Sequence, residues 1–157
     1  MSGFRRGVRL GVDVGTARVG VARCDRDGLL AVPVETVPRT DAAAARVAEL
    51  AAEYDAFEIL LGLPISLGGR ETSSTADARA FAAAVGAASG LPIRLVDERL
   101  STVSAHAALR DSGRTQKSSR RIVDQVAAVV LLQQAIDVEK STGNPAGTPL
   151  PDPQEFV

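Results

Sequence analysis

Three acidic positions lie where an apolar chain has no ordinary use for them. Asp13 sits within VRLGVDVG, where Val8, Leu10, Val12 and Val14 alternate with Arg9, Gly11, Asp13 and Gly15. Strand alternation puts the two sets on opposite faces. The missing side chains beside Asp13 leave room for a ligand or for another backbone. Asp97 and Glu98 close a second apolar run, LPIRLVDER, and alternation lets only one of them share Asp13's side. Asp124 falls about two turns into SSRRIVDQVAAVVLLQQ, with Ala127 and Ala128 at i+3 and i+4. Each acid alone has a plain explanation: an exposed strand face, a charged strand end, a helix dipole. The dipole effect fades within the first turn, so it accounts for Asp124 only in part. An acid on the apolar side of a packed helix needs a partner.

Converging carboxylates repel, and at least one pKa rises unless positive charge intervenes. Mg²⁺ or Mn²⁺ supplies that charge, being hard ions that take oxygen ligands from few carboxylates plus phosphate and water. Two such ions about 3.5–4 Å apart activate a water and steady the leaving oxygen of a phosphodiester. The chemistry to expect is phosphodiester hydrolysis.

The elements that must bring these acids together are legible from period and punctuation. VRLGVDVG and VGVARCD, joined by a short turn, read as a hairpin, and LLAVPVETV after RDG makes a three-strand meander. TDAAAARVAELAAEYD then shifts to helical spacing, with Thr40 or Asp41 as N-cap. FEILLGLP and LPIRLVDER read as buried strands, separated by the polar loop ISLGGRETSST and the helix ADARAFAAAVGAAS. STVSAHAALRDSG, containing His106, reads as a short helix capped by Ser101. Residues 118–139 form the longest helix. The expected α/β fold is a mixed five-stranded sheet, antiparallel then parallel, flanked by helices. Residues 1–7 read as a basic arm, 8–140 as one domain, and 141–157 as a flexible Gly/Pro-rich tail.

Composition narrows the partners. The 157 residues suit one domain, and a net charge of −1 requires any nucleic acid to be met by a local patch. RDSGRTQKSSRR provides one: five basic residues and one acid directly before Asp124. Arg114, Lys117, Arg120 and Arg121 are its phosphate-binding candidates. Arg18 and Arg99 are secondary ones. The only aromatic residues are Phe4, Tyr54, Phe57, Phe81 and Phe156, too few for base stacking to be the main grip. Recognition should lean on backbone and shape, as for structured RNA or branched DNA. The single cysteine, Cys24, excludes a disulfide framework within the chain and points to the cytoplasm, an interchain bridge being the alternative. Asp13 interrupts the only apolar run near the N-terminus, so neither a signal peptide nor a membrane partner is expected.

Taken in order, GVDVGTARVGVA, LLGLP, VDERLST and DQVAAVVLLQ closely resemble the YqgF family, also called RuvX, from about residue 8 to 138. The resemblance implies a ribonuclease H-like fold. Members are described as pre-16S rRNA nucleases and as Holliday junction resolvase homologues. It implies that Asp13, Glu98 and Asp124 are the catalytic metal ligands for Mg²⁺ or Mn²⁺, with Thr16, Asp97 and Gln125 as supporting candidates. Gln125 stands where the family commonly has a serine. The implied reaction is endonucleolytic cleavage at the 5′ end of precursor 16S rRNA, with Holliday junction resolution as the alternative. Symmetric junction cleavage would require a homodimer, because one set of acids cuts one strand. Two other classes remain in view. DVGT also resembles the first phosphate loop of actin-like and sugar kinases, but the chain has no room for their second nucleotide-binding half and no GxxxxGK[ST] loop. A non-catalytic nucleic-acid-binding factor in ribosome maturation or transcription would be favoured by loss of one acid, and all three are present.

Overall fold

A computed structural model describes residues 3–66, 68–98 and 116–150, with side chains given for all of these except 116–124. The chain runs β1 (Val8–Val14), β2 (Arg18–Cys24), β3 (Ala31–Pro38), α1 (Ala43–Glu53), β4 (Ala56–Leu63), α2 (Ser73–Ser89), β5 (Ile93–Asp97), α3 (Gln116–Thr142) and β6 (Thr148–Pro149). The sheet order is β3-β2-β1-β4-β5-β6. β1 pairs antiparallel with β2 and parallel with β4, which pairs parallel with β5. The meander-then-parallel order therefore matches expectation, with a sixth strand added.

Alternation sorts the sheet residues into two apolar layers. Leu10 and Val12 of β1, Val19 and Val21 of β2, Ile59, Leu61 and Leu63 of β4 and Ile93 and Leu95 of β5 pack under α1 and α2. On the other face Ala22, Cys24 and Leu60 lie under Ala128, Leu131, Leu132, Ala135 and Ile136 of α3. Each fully buried large aliphatic side chain contributes about 1.5–3 kcal/mol. Gly11 faces α3, and its gap admits a helix rather than a ligand. A Cβ there would stand 2.7 Å from Leu132 Cβ and 2.9 Å from the Ala128 carbonyl oxygen.

Several local expectations change. No side chain caps α1: its N-cap is Ala42, whose N–H donates to Thr40 Oγ1 at 3.1 Å. Helix α2 starts earlier than its apolar run, in a Thr72–Thr75 capping box. Part of the expected flexible tail returns to the sheet. β6 pairs with β5, Leu150 N–H donates to Ile93 O at 2.8 Å, and Arg94 donates to the carbonyls of Ala146 and Gly147. Main-chain pairing and the Arg94 fork outweigh the Gly/Pro content that suggested a free tail. Cys24 is fully buried, which closes the route to an interchain bridge. The short helix expected around His106 lies outside the described residues.

The basic arm is also recruited. Arg5 donates to both carboxylate oxygens of Glu58 on β4 (3.1 and 2.9 Å) and to Glu139 on α3 (2.8 Å). Arg9 of β1, only 1% exposed, donates to Glu139 at 3.0 Å. Its guanidinium lies 4.3 Å from the Phe4 ring centre and 4.7 Å from that of Phe57. Two arginines and two glutamates thus neutralise one another, with Arg9 and both glutamates buried and the Arg5 side chain partly exposed. Burial pushes the Glu139 carboxyl up, and the hydrogen bonds from Arg5 together with the charge of Arg9 more than reverse this, holding it at about 2. A folded-state pKa below the unfolded one stabilises above the unfolded value and is lost as pH falls through the folded one. Stability should decline from about pH 4.3 toward pH 2. Glu139→Ala should cost about 3–5 kcal/mol in chemical denaturation at pH 7, because it strands Arg9. It should also flatten the acid limb of the stability profile.

Candidate active site

Register determines which acid at the end of β5 meets Asp13. Asp97 has the parity of Ile93 and Leu95, which pack under α1 and α2, and it is exposed. Glu98 has the parity of Val96, which packs under α3, the face that carries Asp13. The Glu98 carboxylate lies against Gly62 of β4. A Cβ at Gly62 would overlap Glu98 Oε2 and stand 2.8 Å from Leu131 Cδ1. Gly62 is therefore the absent side chain that lets a carboxylate enter the layer between sheet and helix.

The space in front of the pair comes from strand divergence. The β1–β4 ladder ends at Val12–Leu61, one residue short of Asp13. β1 stays paired with β2 through Asp13–Gly20 and Val14–Val19. Asp13 and Gly62 thus flank the point where two parallel strands part at their carboxyl ends, the usual place for a ligand in an α/β sheet. Helix α3 runs antiparallel to β1 across this face. Glu139 pairs with Arg9, and Leu132 and Ala128 lie over Gly11. The next turn toward the helix N-terminus, which carries Asp124, continues in the direction of Asp13; the Asp124 side chain lies outside those described.

Electrostatically the pair is frustrated. Burial first, then the charge of Asp13 and a polar contact with it, then the charge of Asp97, push the Glu98 carboxyl far above the usual carboxylate range. Glu98 Oε2 is shielded from solvent and has no hydrogen-bond partner among the described residues. An orphaned oxygen, a gap that a Cβ would fill and hard oxygen donors together fit a divalent cation such as Mg²⁺ or Mn²⁺. Among the described residues no group of three such ligands assembles. Asp124 of α3 is the third candidate, its side chain outside those described.

The remaining candidates divide. Arg18 opens β2 on the sheet face of Asp13, by its register with Gly20. Gln125 does not face the acids: its Nε2 donates to Thr36 Oγ1 of β3 at 2.7 Å, tying α3 to the edge of the meander. Thr16 is exposed at the β1–β2 turn and lines an open cleft of about 390 Å³ with Arg39, Thr40, Asp41 and Asp77 on the α1–α2 side. That cleft holds two acids and one arginine, which Asp77 already pairs, so it is no phosphate site. Arg99 and Arg114 lie outside the described residues. Lys117, Arg120 and Arg121 belong to the first turns of α3, their side chains likewise outside.

The four described aromatic rings are all taken: Arg9 stacks on Phe4, Arg5 and Arg9 on Phe57, Arg23 on Tyr54 and Arg39 on Phe81. None of them is bare for a nucleobase. One residue of the site has only a weak signal in the sequence: Gly62 interrupts the apolar run FEILLGLP, and glycine inside a buried strand is a sign of close approach.

Comparison with known proteins places this geometry. A family model described as "RuvX: Holliday junction resolvase" matches residues 7–138. A protein of Leifsonia xyli subsp. xyli is 55% identical over 149 residues, covering 94% of this chain and 96% of its own. One from Streptomyces coelicolor is 51% identical, covering 92% and 88%. Both carry the provisional name of pre-16S rRNA nuclease. Among solved structures, Thermus thermophilus RuvC in complex with a Holliday junction substrate superposes with a TM-score of 0.55 at 18% identity, covering 91% of this chain and 99% of that one. The shared architecture is the ribonuclease H-like fold.

A carboxyl whose pKa is raised on folding weakens the fold as pH climbs from its unfolded value toward the folded one. Glu98→Gln should therefore raise the unfolding midpoint of the metal-free protein at pH 7, by about 2–4 °C per kcal/mol of relieved repulsion. The two proteins should melt together at pH 4. Coincident melting curves at pH 7 would show that the pair carries no strain.

Proposed function

Because the chain belongs to the RuvX family, we propose that it is a divalent-metal-dependent endonuclease that cleaves precursor 16S rRNA near its 5′ end. The observation that carries this reading is the buried oxygen of Glu98, without a hydrogen-bond partner among the described residues, set beside Asp13 where the β1–β4 ladder ends. Two neighbouring acids of this kind are suited to a shared divalent cation. Asp13, Glu98 and Asp124 would hold it. When bound, Mg²⁺ or Mn²⁺ supplies Lewis acidity, lowers the pKa of a water and offsets charge on the phosphate.

The chain's own residues then divide the work. Asp13 and Glu98 hold their oxygens on one sheet face, and Gly62 leaves the room that the Glu98 carboxylate occupies. Arg18, on that face, and the cationic run from Arg114 to Arg121 bind phosphates on either side of the cut. Such contacts fix position without reading sequence, and they make affinity fall with salt. With its described rings occupied by arginines, the protein grips the strand by backbone and shape, which suits a structured RNA.

RNA is favoured over a DNA junction because relatives near half identity across nearly the whole chain are named for pre-16S rRNA. The likeness to RuvC, at 18% identity, establishes the fold alone. Purified protein with Mn²⁺ or Mg²⁺ should cut a precursor 16S rRNA leader and leave a four-way DNA junction intact. Asp13→Asn should abolish cleavage while the far-ultraviolet dichroism stays unchanged, and a chelator should do the same to the wild type. Full activity in Asp13→Asn would remove the assignment, and junction cleavage without RNA cleavage would reverse the choice of substrate.

A further inference from the structure

Asp13 lies past the end of the β1–β4 ladder, so its backbone is held by the sheet on the β2 side only. The turn that follows it would be free to move were it not tied from elsewhere. Among the described residues, Arg39 ties it. Arg39, just after β3, donates from its backbone N–H to the Ala17 carbonyl at 3.0 Å and from its guanidinium to the Gly15 carbonyl at 2.9 Å. Both carbonyls that flank Thr16 are thereby taken by the same residue.

Arg39 is itself fixed. Its two terminal nitrogens fork onto Asp77 of α2, each at 2.9 Å, and the guanidinium lies 4.7 Å from the Phe81 ring centre. The side chain is only 19% exposed. A planar, bidentate, stacked arginine loses little freedom when it makes such bonds, which is what a rigid anchor requires. Within the turn, Gly15 N–H donates to Arg18 O at 2.8 Å, which closes the stretch from Gly15 to Arg18 on itself between the two carbonyls that Arg39 holds.

We propose that Arg39 is a positioning residue: forked by Asp77 and stacked on Phe81, it locks the β1–β2 turn and so fixes where β1 presents Asp13 beside Glu98. It touches neither phosphate nor metal. It acts through the carbonyls of Gly15 and Ala17, and this inference rests on the nuclease reading only for the consequence of moving Asp13. A side chain that held substrate would change KM. One that only aims a ligand changes metal affinity and kcat, since small displacements of a catalytic group are costly.

The test uses the full-length protein with Arg39→Met, which removes the guanidinium and its bond to the Gly15 carbonyl and leaves the backbone bond to Ala17. Hydrogen exchange across residues 13–18 should speed up about tenfold, the scale of one lost hydrogen bond, while exchange across 127–139 stays the same. Mn²⁺ affinity by calorimetry should fall severalfold, and kcat on precursor rRNA should fall with KM unchanged. Should Arg39→Met not fold, Asp77→Ala, at a partly exposed position of α2, removes the fork and should give the same pattern at smaller amplitude. Unaltered exchange across 13–18 overturns the proposal, and so does faster exchange with wild-type Mn²⁺ affinity. If the wild type neither binds Mn²⁺ nor cleaves, the nuclease reading fails, and exchange across 13–18 alone still decides whether Arg39 holds Asp13.

Discussion

The backbone of α3 lies so close to β1 that the carbonyl of Ala128 and the Cβ of Leu132 occupy the space a side chain at position 11 would need. This close approach sets the height of the helix over the sheet. Leu131 then reaches the edge of Gly62, and the Glu98 carboxylate fills the remaining slot between strand and helix. With any larger residue at position 11 the helix would have to lift. The layer that shields Glu98 Oε2 from water would then open. The proximity of a helix backbone, rather than any single polar bond, is what makes the acidic pair a buried one.

The same face carries two electrostatic solutions at opposite ends. Toward the amino end of β1, Arg5 and Arg9 meet Glu58 and Glu139, and every formal charge finds its opposite within about 3 Å. Toward the carboxyl end, Asp13 and Glu98 come together, and burial with the neighbouring negative charge holds the Glu98 carboxyl far above the usual carboxylate range. The first arrangement anchors β1, β4 and α3 to one another. The second is tolerated because that anchor, the close packing at Gly11 and the main-chain ladders hold the elements in place regardless. The contrast between a neutralised cluster and a carboxyl pushed far from its ordinary range is what makes the second a candidate site.

Aromatic rings and arginines show a related division of labour. The four described rings pack beneath guanidinium groups and serve the interior. Arginines elsewhere secure turns: Arg39 the β1–β2 turn, Arg94 the chain leading into β6. Much of the positive charge that composition alone would assign to nucleic acid is therefore structural. The cationic run before Asp124 is left as the main phosphate-binding candidate.

The order of strands and helices, the two faces of β1 and the placement of α1, α2 and α3 were legible in the sequence, because hydrophobic period and turn residues are local signals. So were Asp13, Glu98 and Asp124 as chemically odd residues. Other features required coordinates. Alternation alone allowed either Asp97 or Glu98 to face Asp13, and the choice followed from the register of β5 on β4, which long-range pairing sets. The purpose of Gly11 and Gly62 depended on what lies above them, a helix in one case and a carboxylate in the other. The basic arm and the Gly/Pro-rich tail looked free because their partners, Glu58, Glu139 and β5, are distant in sequence. A sequence records which residues are apolar, charged or small. Whether a charge is satisfied depends on groups brought near it only by folding, and tertiary structure alone decides that.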